Sequence, residues 1–136
     1  MRLTACLGVA LDIILPCAFP LDDKSMKRAA LDYGPLAHVT RHANWSEFLN
    51  SSLIVDRRLV LFTTKGEPLF PNFEFRADDV LIMGSESHGA PDFVHRAAAA
   101  RVRIPLVVGA RSLNLAVTSA LALGEALRQT DGFPPQ

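Results

Sequence analysis

The feature that most constrains the fold is one stretch, residues 103–129, with the sequence RIPLVVGARSLNLAVTSALALGEALRQ. Its pattern predicts a short buried strand, a loop of small and polar residues, and a long apolar helix. In α/β proteins such a loop commonly binds ligands, because free backbone N–H groups and the helix dipole point into the crevice beside it. The stretch therefore predicts an α/β domain with a candidate site in this loop.

Two further loops of the same kind follow predicted strands. MGSESHGAP begins at the end of the strand predicted over residues 79–83, and TTKG follows the strand predicted over residues 58–62. Ligands of open α/β sheets bind outside the carboxyl ends of the strands. We therefore expect the three loops to lie side by side and to form one ligand pocket.

The rest of the chain alternates short strands with helices. Strands are predicted over residues 11–15, 37–41, 58–62, 79–83 and 102–106, and helices over residues 2–9, 25–30, 44–50 and 91–100 and in the carboxyl-terminal stretch. This spacing predicts a mainly parallel open sheet with helices on both faces. With 136 residues, 49% of them hydrophobic, the chain is expected to form a single domain over residues 1–136.

Charge and apolar runs limit the partners. The formal net charge is zero, so the overall charge does not indicate a nucleic-acid partner. Such a partner would have to bind a local basic patch. Basic pairs that could touch phosphate, or could equally be solvated surface, are Lys27/Arg28, Arg57/Arg58 and Arg101/Arg103. No apolar run reaches the roughly 20 residues that span a membrane, so no membrane partner is expected.

The cysteines and histidines do not predict a metal site. Cys6 and Cys17 lack metal-ligand spacing and are expected to be buried, reduced thiols of a cytoplasmic protein. The histidines are also too widely spaced for a metal site: His38, His42, His88 and His95. An aspartate and a proline interrupt the apolar amino-terminal run, which does not fit a cleaved signal peptide.

The loop of residues 84–89 has two interpretations. It contains two glycines but neither the Lys-Ser/Thr of a Walker A loop nor the G-x-G-x-x-G dinucleotide fingerprint. It could cradle an adenosine-like ligand, with Glu86 fixing the loop or receiving a polar group, or it could be a plain turn with a capping carboxylate.

Two interpretations are likewise possible for Arg111, Ser112 and Asn114. They could form a polar cluster at the reacting end of the ligand, or Ser112 could simply cap the helix.

These residues resemble the motifs of the SpoU branch of the SPOUT methyltransferases. The family's G-x-E-x-x-G-x-P is matched by Gly84, Glu86, Gly89 and Pro91, and its R-I-P followed by R-S-x-N by residues 103–105 and 111–114. RLTACLGV, LDYGPLAHVTRH and LFTTKG add to the resemblance, which covers nearly the whole chain. Within the branch, the pattern is similar to that of the small enzymes that methylate the ribose 2′-hydroxyl of the tRNA wobble nucleotide.

The resemblance implies a fold, a reaction and partners. It implies a carboxyl-terminal trefoil knot, a homodimer, and metal-free methyl transfer from S-adenosylmethionine to nucleotide 34 of tRNA, a cytidine or modified uridine. Carried onto this sequence, the cofactor-binding residues are Phe62, Gly84, Glu86, Gly89, Ile104 and Ser112. The catalytic residues are Arg2, Ser112 and Asn114.

The family's first motif is only partly present. It reads N-x-G-x-x-x-R, and Arg2 matches its arginine, whereas the Asn, the Gly and the preceding strand are absent. We therefore expect an amino-terminally truncated chain that lacks the family's first strand. Because the pKa of arginine lies above about 12, Arg2 is a weak general base and is expected to contact the hydroxyl or an adjacent phosphate. The alternatives are a catalytically impaired RNA-binding relative and a nucleotide-binding module without an RNA partner.

Overall fold

The structure, a computed structural model, describes residues 1–17 and 21–136. In chain order its elements are α1 (Arg2–Cys6), β1 (Leu11–Ile14), α2 (Asp23–Ala30), a 3₁₀ helix (Leu31–Leu36), β2 (Val39–His42), α3 (Trp45–Leu49), β3 (Arg58–Phe62), a 3₁₀ helix (Phe70–Asn72), β4 (Asp79–Met83), α4 (Asp92–Ala97), β5 (Ala100–Val102) and α5 (Leu115–Gln129). They form two compact units, residues 1–55 with 134–136 and residues 56–133. The predicted alternation of helices with parallel strands is confirmed, with the strands divided between two sheets.

The amino-terminal unit is built around a parallel pair, β1 and β2, in which Ile14 lies opposite His42. His42 is only 3% exposed. Its Nε2 lies 2.6 Å from Oδ1 of Asp12, which gives the buried imidazole a hydrogen-bond partner. Phe48 of α3 packs edge-on against that ring, with 5.4 Å between the ring centroids. These contacts hold α3 against the two strands.

The carboxyl-terminal unit contains a three-stranded parallel sheet in the order β4–β3–β5. The central strand, RLVLF, is buried after its first residue, as expected of a strand with neighbours on both sides. At its carboxyl end, Phe62 lies opposite both Met83 and Val102, the last residues of β4 and β5. All three strands therefore end at one edge of the sheet.

The opposite edge is braced by an ion pair between Arg58 and Asp79, the first residues of β3 and β4. Nη2 of Arg58 donates to Oδ2 of Asp79 at 2.7 Å, and the guanidinium carbon lies 5.1 Å from the centroid of the Phe73 ring. The hydrogen bond to this carboxylate raises the pKa of Arg58 above its usual value. Of the basic pairs noted in the sequence, Arg58 therefore has a structural role.

The core of this unit joins the strand ends to α5. Its buried members are Val60, Phe62, Phe73, Phe75, Val102, Ala122 and Ala126. Phe73 and Phe75 meet edge to face, with ring centroids 4.8 Å apart, and the small side chains of α5 pack against this cluster. Burial of each large side chain contributes roughly 1.5–3 kcal/mol. The core therefore fixes α5 beside the edge where the strands end.

The carboxyl end of α5 is held by side-chain hydrogen bonds. Nε2 of Gln129 donates to the carbonyl of Phe73 at 3.1 Å, and its Oε1 accepts from the backbone N–H of Phe75 at 2.8 Å. One turn earlier, Oε1 of Glu125 accepts from Nη2 of Arg128 at 2.7 Å and from Nε2 of Gln129 at 2.8 Å. The amide of Gln129 thus joins the helix to the segment that precedes β4.

The strand predicted over residues 102–106 lies two residues earlier, at Ala100–Val102, and α4 ends at Ala97 rather than near residue 100. Arg103 shows why. Its N–H donates to the carbonyl of Pro68 at 3.2 Å, and its carbonyl accepts from the N–H of Phe70 at 2.8 Å. The chain after Val102 therefore pairs with the loop before β4 instead of extending the sheet beside β3.

The prediction that both cysteines are buried is wrong, since Cys6 and Cys17 are exposed. In α1 the buried residue is Ala5, and because consecutive helical residues face different sides, Cys6 points outward. Among the helices of the described ranges, none is both long and apolar enough to cross a bilayer. The trefoil knot and the single-domain organisation stay predictions.

Candidate functional site

A cavity of about 370 Å³ opens where β3, β4 and β5 end. Phe62, Met83 and Val102, the last residues of the strands, line it together with the loops that follow them and the first turn of α5. The predicted site residues in this wall are Phe62, Gly84, Glu86, Gly89, Ile104 and Ser112. The three loops expected to form one pocket are thus found around one cavity.

The loop after β4 is folded tightly on itself. Ser85 and Gly89 exchange backbone hydrogen bonds of 3.0 and 2.9 Å, and Gly89 has φ +69°, where glycine is favoured. Gly84 is required for a different reason. A Cβ there would lie 2.5 Å from both the nitrogen of Ala90 and the carbonyl carbon of Gly89. The loop can pack this closely only with glycine at position 84.

Glu86 ties this loop to the amino end of α5. Its Oε1 accepts from Nδ2 of Asn114 at 3.1 Å and from the backbone N–H of Leu115 at 3.2 Å. A carboxylate at this position also interacts favourably with the helix dipole. These contacts agree both with Glu86 fixing the loop and with a capping carboxylate, the two structural roles that the sequence offers for it.

Asn114, and not Ser112, is the N-cap of α5. Oδ1 of Asn114 accepts from the N–H groups of Ala116 at 2.8 Å and Val117 at 3.3 Å. These bonds satisfy donors that a helix start leaves without partners. The suggestion that Ser112 caps the helix is therefore wrong, and Ser112 lies in the cavity wall instead. The amide of Asn114 is engaged at both its oxygen and its nitrogen.

The loop after β3 is anchored to β5. The N–H of Thr63 donates to the carbonyl of Val102 at 3.0 Å, and that of Gly66 donates to the carbonyl of Thr63 at 3.2 Å. Gly66 approaches β5 so closely that a Cβ would lie 2.6 Å from the carbonyl oxygen of Arg101. This anchoring brings Lys65, as well as Thr63, into the cavity wall.

The cavity combines apolar walls with hydroxyl groups. Its apolar side chains include Phe62, Val102, Ile104, Leu106 and Leu113, and its hydroxyl side chains are Thr63, Thr64, Ser85, Ser112 and Thr118. An apolar cleft with a few polar groups is typical of a small-molecule site. The apolar wall suits a planar base, and the hydroxyls suit a ribose, so these residues fit an adenosyl ligand.

Sequence reasoning gave no role in the cavity to Lys65, His88 or His95, all of which line it. Lys65 and His88 lie in loops that were expected to form the pocket, so their position in its wall could have been predicted. His95 enters from α4, and only the packing of that helix brings it to the wall. Its carbonyl accepts from Nη1 of Arg101 at 3.2 Å, which engages another of the basic pairs.

Arg2 belongs to the amino-terminal unit. It is the first residue of α1, and its guanidinium carbon lies 5.1 Å from the centroid of the Tyr33 ring, in a cation–π contact. Its catalytic role stays a prediction from the resemblance. In residues 1–17 and 21–136, no three His, Cys, Asp or Glu side chains are grouped to hold a metal ion.

Comparison with known sequences gives consistent matches. The model of the SpoU rRNA Methylase family matches residues 1–124. A tRNA (cytidine(34)-2′-O)-methyltransferase from Ancylobacter novellus is 48% identical over 132 residues, which cover 97% of this chain and 84% of that protein. Its counterpart from Beijerinckia indica is also 48% identical, over 95% of this chain and 81% of that protein.

Solved structures are similar to this chain as well. One, concerned with the 2-OH methylation of C/U34 on tRNA, has a TM-score of 0.86 and 38% identity and covers 94% of this chain and 83% of its own. An AdoMet-bound rRNA methyltransferase from Sinorhizobium meliloti has a TM-score of 0.81 and 26% identity, over 93% of this chain and 49% of its own. The likeness therefore extends to a protein solved with its cofactor.

Proposed function

The chain belongs to the SpoU rRNA methylase family, and we propose that it methylates the ribose 2′-hydroxyl of the wobble nucleotide of tRNA, position 34, from S-adenosylmethionine. The chain spans 84% of the relative from Ancylobacter novellus, so the match supports the whole of that protein's named activity. The target nucleotide is a cytidine or a modified uridine.

The observation that carries this proposal is the cavity at the ends of β3, β4 and β5. Four positions that correspond to the family's cofactor residues contribute to one wall: Phe62, Gly84, Ile104 and Ser112. They come from three loops and strand ends that are distant in sequence. Convergence of distant segments on one apolar cleft with a few polar groups supports a cofactor site.

We assign the cofactor-binding roles by the chemistry of each side chain. S-adenosylmethionine, when bound, supplies an electrophilic methyl group on a sulfonium. Phe62 and Ile104 form the apolar wall for its adenine, and Gly84 lets the backbone approach the ligand closely. Glu86 and Gly89 act indirectly, because they fix and close the loop that carries Gly84. Ser112 offers a hydroxyl to the polar part of the ligand.

The protein must overcome the weakness of a ribose hydroxyl as a nucleophile. With S-adenosylmethionine bound, O2′ would take the methyl group, the sulfur would keep the electron pair of the broken carbon–sulfur bond, and the hydroxyl proton would pass to water. Alignment of well-oriented groups can contribute roughly 7–11 kcal/mol. We assign Arg2, from the resemblance, to the hydroxyl or an adjacent phosphate, and Ser112 and Asn114 to its orientation. Because Asn114 already contacts Glu86 and the start of α5, its role is to position the site and not to accept the hydroxyl proton.

We further propose that the chain works as a homodimer of single, knotted domains over residues 1–136, in the cytoplasm with its tRNA substrate. Exposed apolar side chains support the dimer, since such side chains mark interaction surfaces. They lie after β5 and along α5, outside the cavity wall: Val107, Val108, Val117 and Leu121. Light scattering of the purified chain tests the dimer.

Transfer of tritiated methyl from S-adenosylmethionine to bulk tRNA, followed by mapping of the product, tests the reaction. We expect a single 2′-O-methyl group at nucleotide 34. Tight RNA binding without any transfer would contradict the proposal and support the RNA-binding alternative.

The variant Arg2→Ala tests the catalytic assignment. Transfer should be abolished while S-adenosylmethionine binds as it does to the unchanged chain. Arg41→Ala is the matched control, since Arg41 is an exposed arginine of the same unit. Undiminished turnover in Arg2→Ala would remove Arg2 from the mechanism.

A further inference from the structure

Each of the three loops brings one basic side chain to the cavity. Lys65 follows β3, His88 follows β4 and Arg111 follows β5, and all three are exposed where they line the opening. We call these three residues the cationic rim. Their convergence does not follow from the overall charge, because the chain has 14 basic and 14 acidic residues and no formal net charge.

The cationic rim is not neutralised by the protein. Of the residues that line the cavity, Glu86 is the acidic one, and its Oε1 already accepts from Nδ2 of Asn114 and from the N–H of Leu115. Within the described part of the chain, the side chains of Lys65 and Arg111 make neither an ion pair nor a hydrogen bond. Two permanent cations on separate loops are therefore available to an external anion.

We propose that the cationic rim binds the RNA phosphodiesters that flank the reacting ribose. The inference rests on the proposed function, which requires a ribose 2′-hydroxyl to reach this cavity. Every internal ribose of RNA is joined to phosphates on both sides, so a ribose at the opening brings phosphate oxygens beside the three loops. Lys and Arg are the usual side chains for such contacts, which position the strand without reading its sequence.

His88 can act in the rim without carrying a charge. Its Nδ1 lies 2.6 Å from the hydroxyl oxygen of Ser87, which fixes the ring. When Ser87 donates to Nδ1, the proton of the neutral imidazole is on Nε2, which can then donate to a phosphate oxygen. Lys65 and Arg111 supply the charge, and His88 supplies a directed donor. All three contact the RNA strand and take no part in making or breaking bonds.

The test measures RNA binding and methyl transfer separately. The ligand is an anticodon stem-loop RNA with cytidine at position 34, and its Kd is measured by fluorescence anisotropy between about 50 and 200 mM KCl. The variants are Lys65→Met, Arg111→Gln, their combination and the charge-preserving Lys65→Arg. Arg96→Gln is the matched control, because Arg96 is an exposed arginine of α4 outside the cavity wall. Circular dichroism confirms that each variant is folded.

The combined variant should weaken RNA binding about tenfold at low salt and reduce the slope of log K against log salt by about 0.7 for each lost contact. Lys65→Arg should keep the slope of the unchanged chain. In the combined variant the KM for RNA should rise, while kcat at saturating RNA and the Kd for S-adenosylmethionine without RNA stay unchanged.

Two results would overturn the inference. One is an RNA affinity and salt slope in the combined variant equal to those of Arg96→Gln. The other is weaker cofactor binding with unchanged RNA binding, which would assign the cations to the cofactor's carboxylate. Because RNA binding is measured without turnover, failure of the methyl-transfer proposal is recognised separately, as absent transfer by the unchanged chain.

Discussion

The two loops beside the end of β3, one after β4 and one after β5, both line the cavity but are held by different contacts. The loop after β4, residues 84–91, is closed by backbone hydrogen bonds between Ser85 and Gly89 and is tied to α5 by Glu86. The loop after β5, residues 103–114, leaves Val107 and Val108 80% and 105% exposed. One loop is therefore held by its own contacts and by α5, whereas the other leaves apolar side chains exposed at the surface.

The glycines of the two loops express this difference. A Cβ on Gly84 would meet backbone atoms at 2.5 Å, whereas a Cβ on Gly109 would meet nothing within 4 Å. Gly109 is required only for its φ of +93°. A motif glycine can thus mark a shortage of space or a backbone conformation, and only the structure tells the two apart.

The largest expected effect separates these glycines. Gly84→Ala should lower the free energy of unfolding by about 1–3 kcal/mol, because the neighbouring backbone cannot move aside, and should nearly abolish cofactor binding. Gly109→Ala should cost about 1 kcal/mol through its positive φ. Urea unfolding and calorimetry with S-adenosylmethionine measure both. Equal losses in the two variants would mean that the loops do not differ as described.

A smaller effect tests the connection between the β4 loop and α5. Glu86→Ala removes the acceptor of two hydrogen bonds and should lower the free energy of unfolding by about 1–2 kcal/mol, with weaker cofactor binding. Glu86→Gln keeps an acceptor oxygen and should cost less, which makes it the matched control. If urea unfolding gives the same stability for Glu86→Ala as for the unchanged chain, the carboxylate does not hold the loop.

The start of α5 offers a sharper test of the β5 loop. Asn114→Ala should cost about 1 kcal/mol, because it removes the N-cap. Ser112→Ala should leave the unfolding free energy unchanged and weaken S-adenosylmethionine binding. Thermal unfolding and calorimetry, applied to both variants, separate the roles. A stability loss in Ser112→Ala equal to that in Asn114→Ala would return the capping role to Ser112.

The smallest effect concerns the other end of α5, where no ligand site is proposed. Hydrogen bonds from Arg128 and then Gln129 lower the pKa of Glu125 from its ordinary 4.5 to about 2. The carboxylate therefore stabilises the fold fully above pH 4.5, and this contribution is lost as the pH falls toward 2. The melting temperature of Glu125→Gln should be lower than that of the unchanged chain at pH 7, and the gap should narrow over this range. A constant gap would contradict the assignment.

The local sequence pattern was enough to predict β3, β4 and α5, because the residues of each element determine where it begins and ends. β3 and β4 have the predicted bounds, since each is a compact apolar run with its own stop signal. The apolar run after residue 114 forms α5. The predicted bounds of β5 were wrong because Arg103 pairs with Pro68 and Phe70. Such a contact between distant segments is not encoded in the periodicity of the sequence.

The candidate site was predictable to a similar depth. The position of three loops after predicted strands indicated that they would surround one cavity, and the residues implied by the family resemblance, Phe62, Gly84, Ile104 and Ser112, line it. The sequence did not predict that Asn114 caps α5 while also contacting Glu86, because that choice depends on where the helix starts in space. His95 was missed for the same reason, since a helix face brings it to the wall.

The fastening of α5 at both ends constrains how this unit can respond to a ligand. Glu86 grips its first turn and the amide of Gln129 grips the chain near Phe73 and Phe75, so the helix cannot slide along its axis without breaking bonds at one end. The exposed segment around Val107 and Val108 has no such attachment of its side chains to the core. A helix fixed at both ends therefore keeps the cavity wall at its first turn in place, while the most exposed apolar side chains of the unit lie just before it.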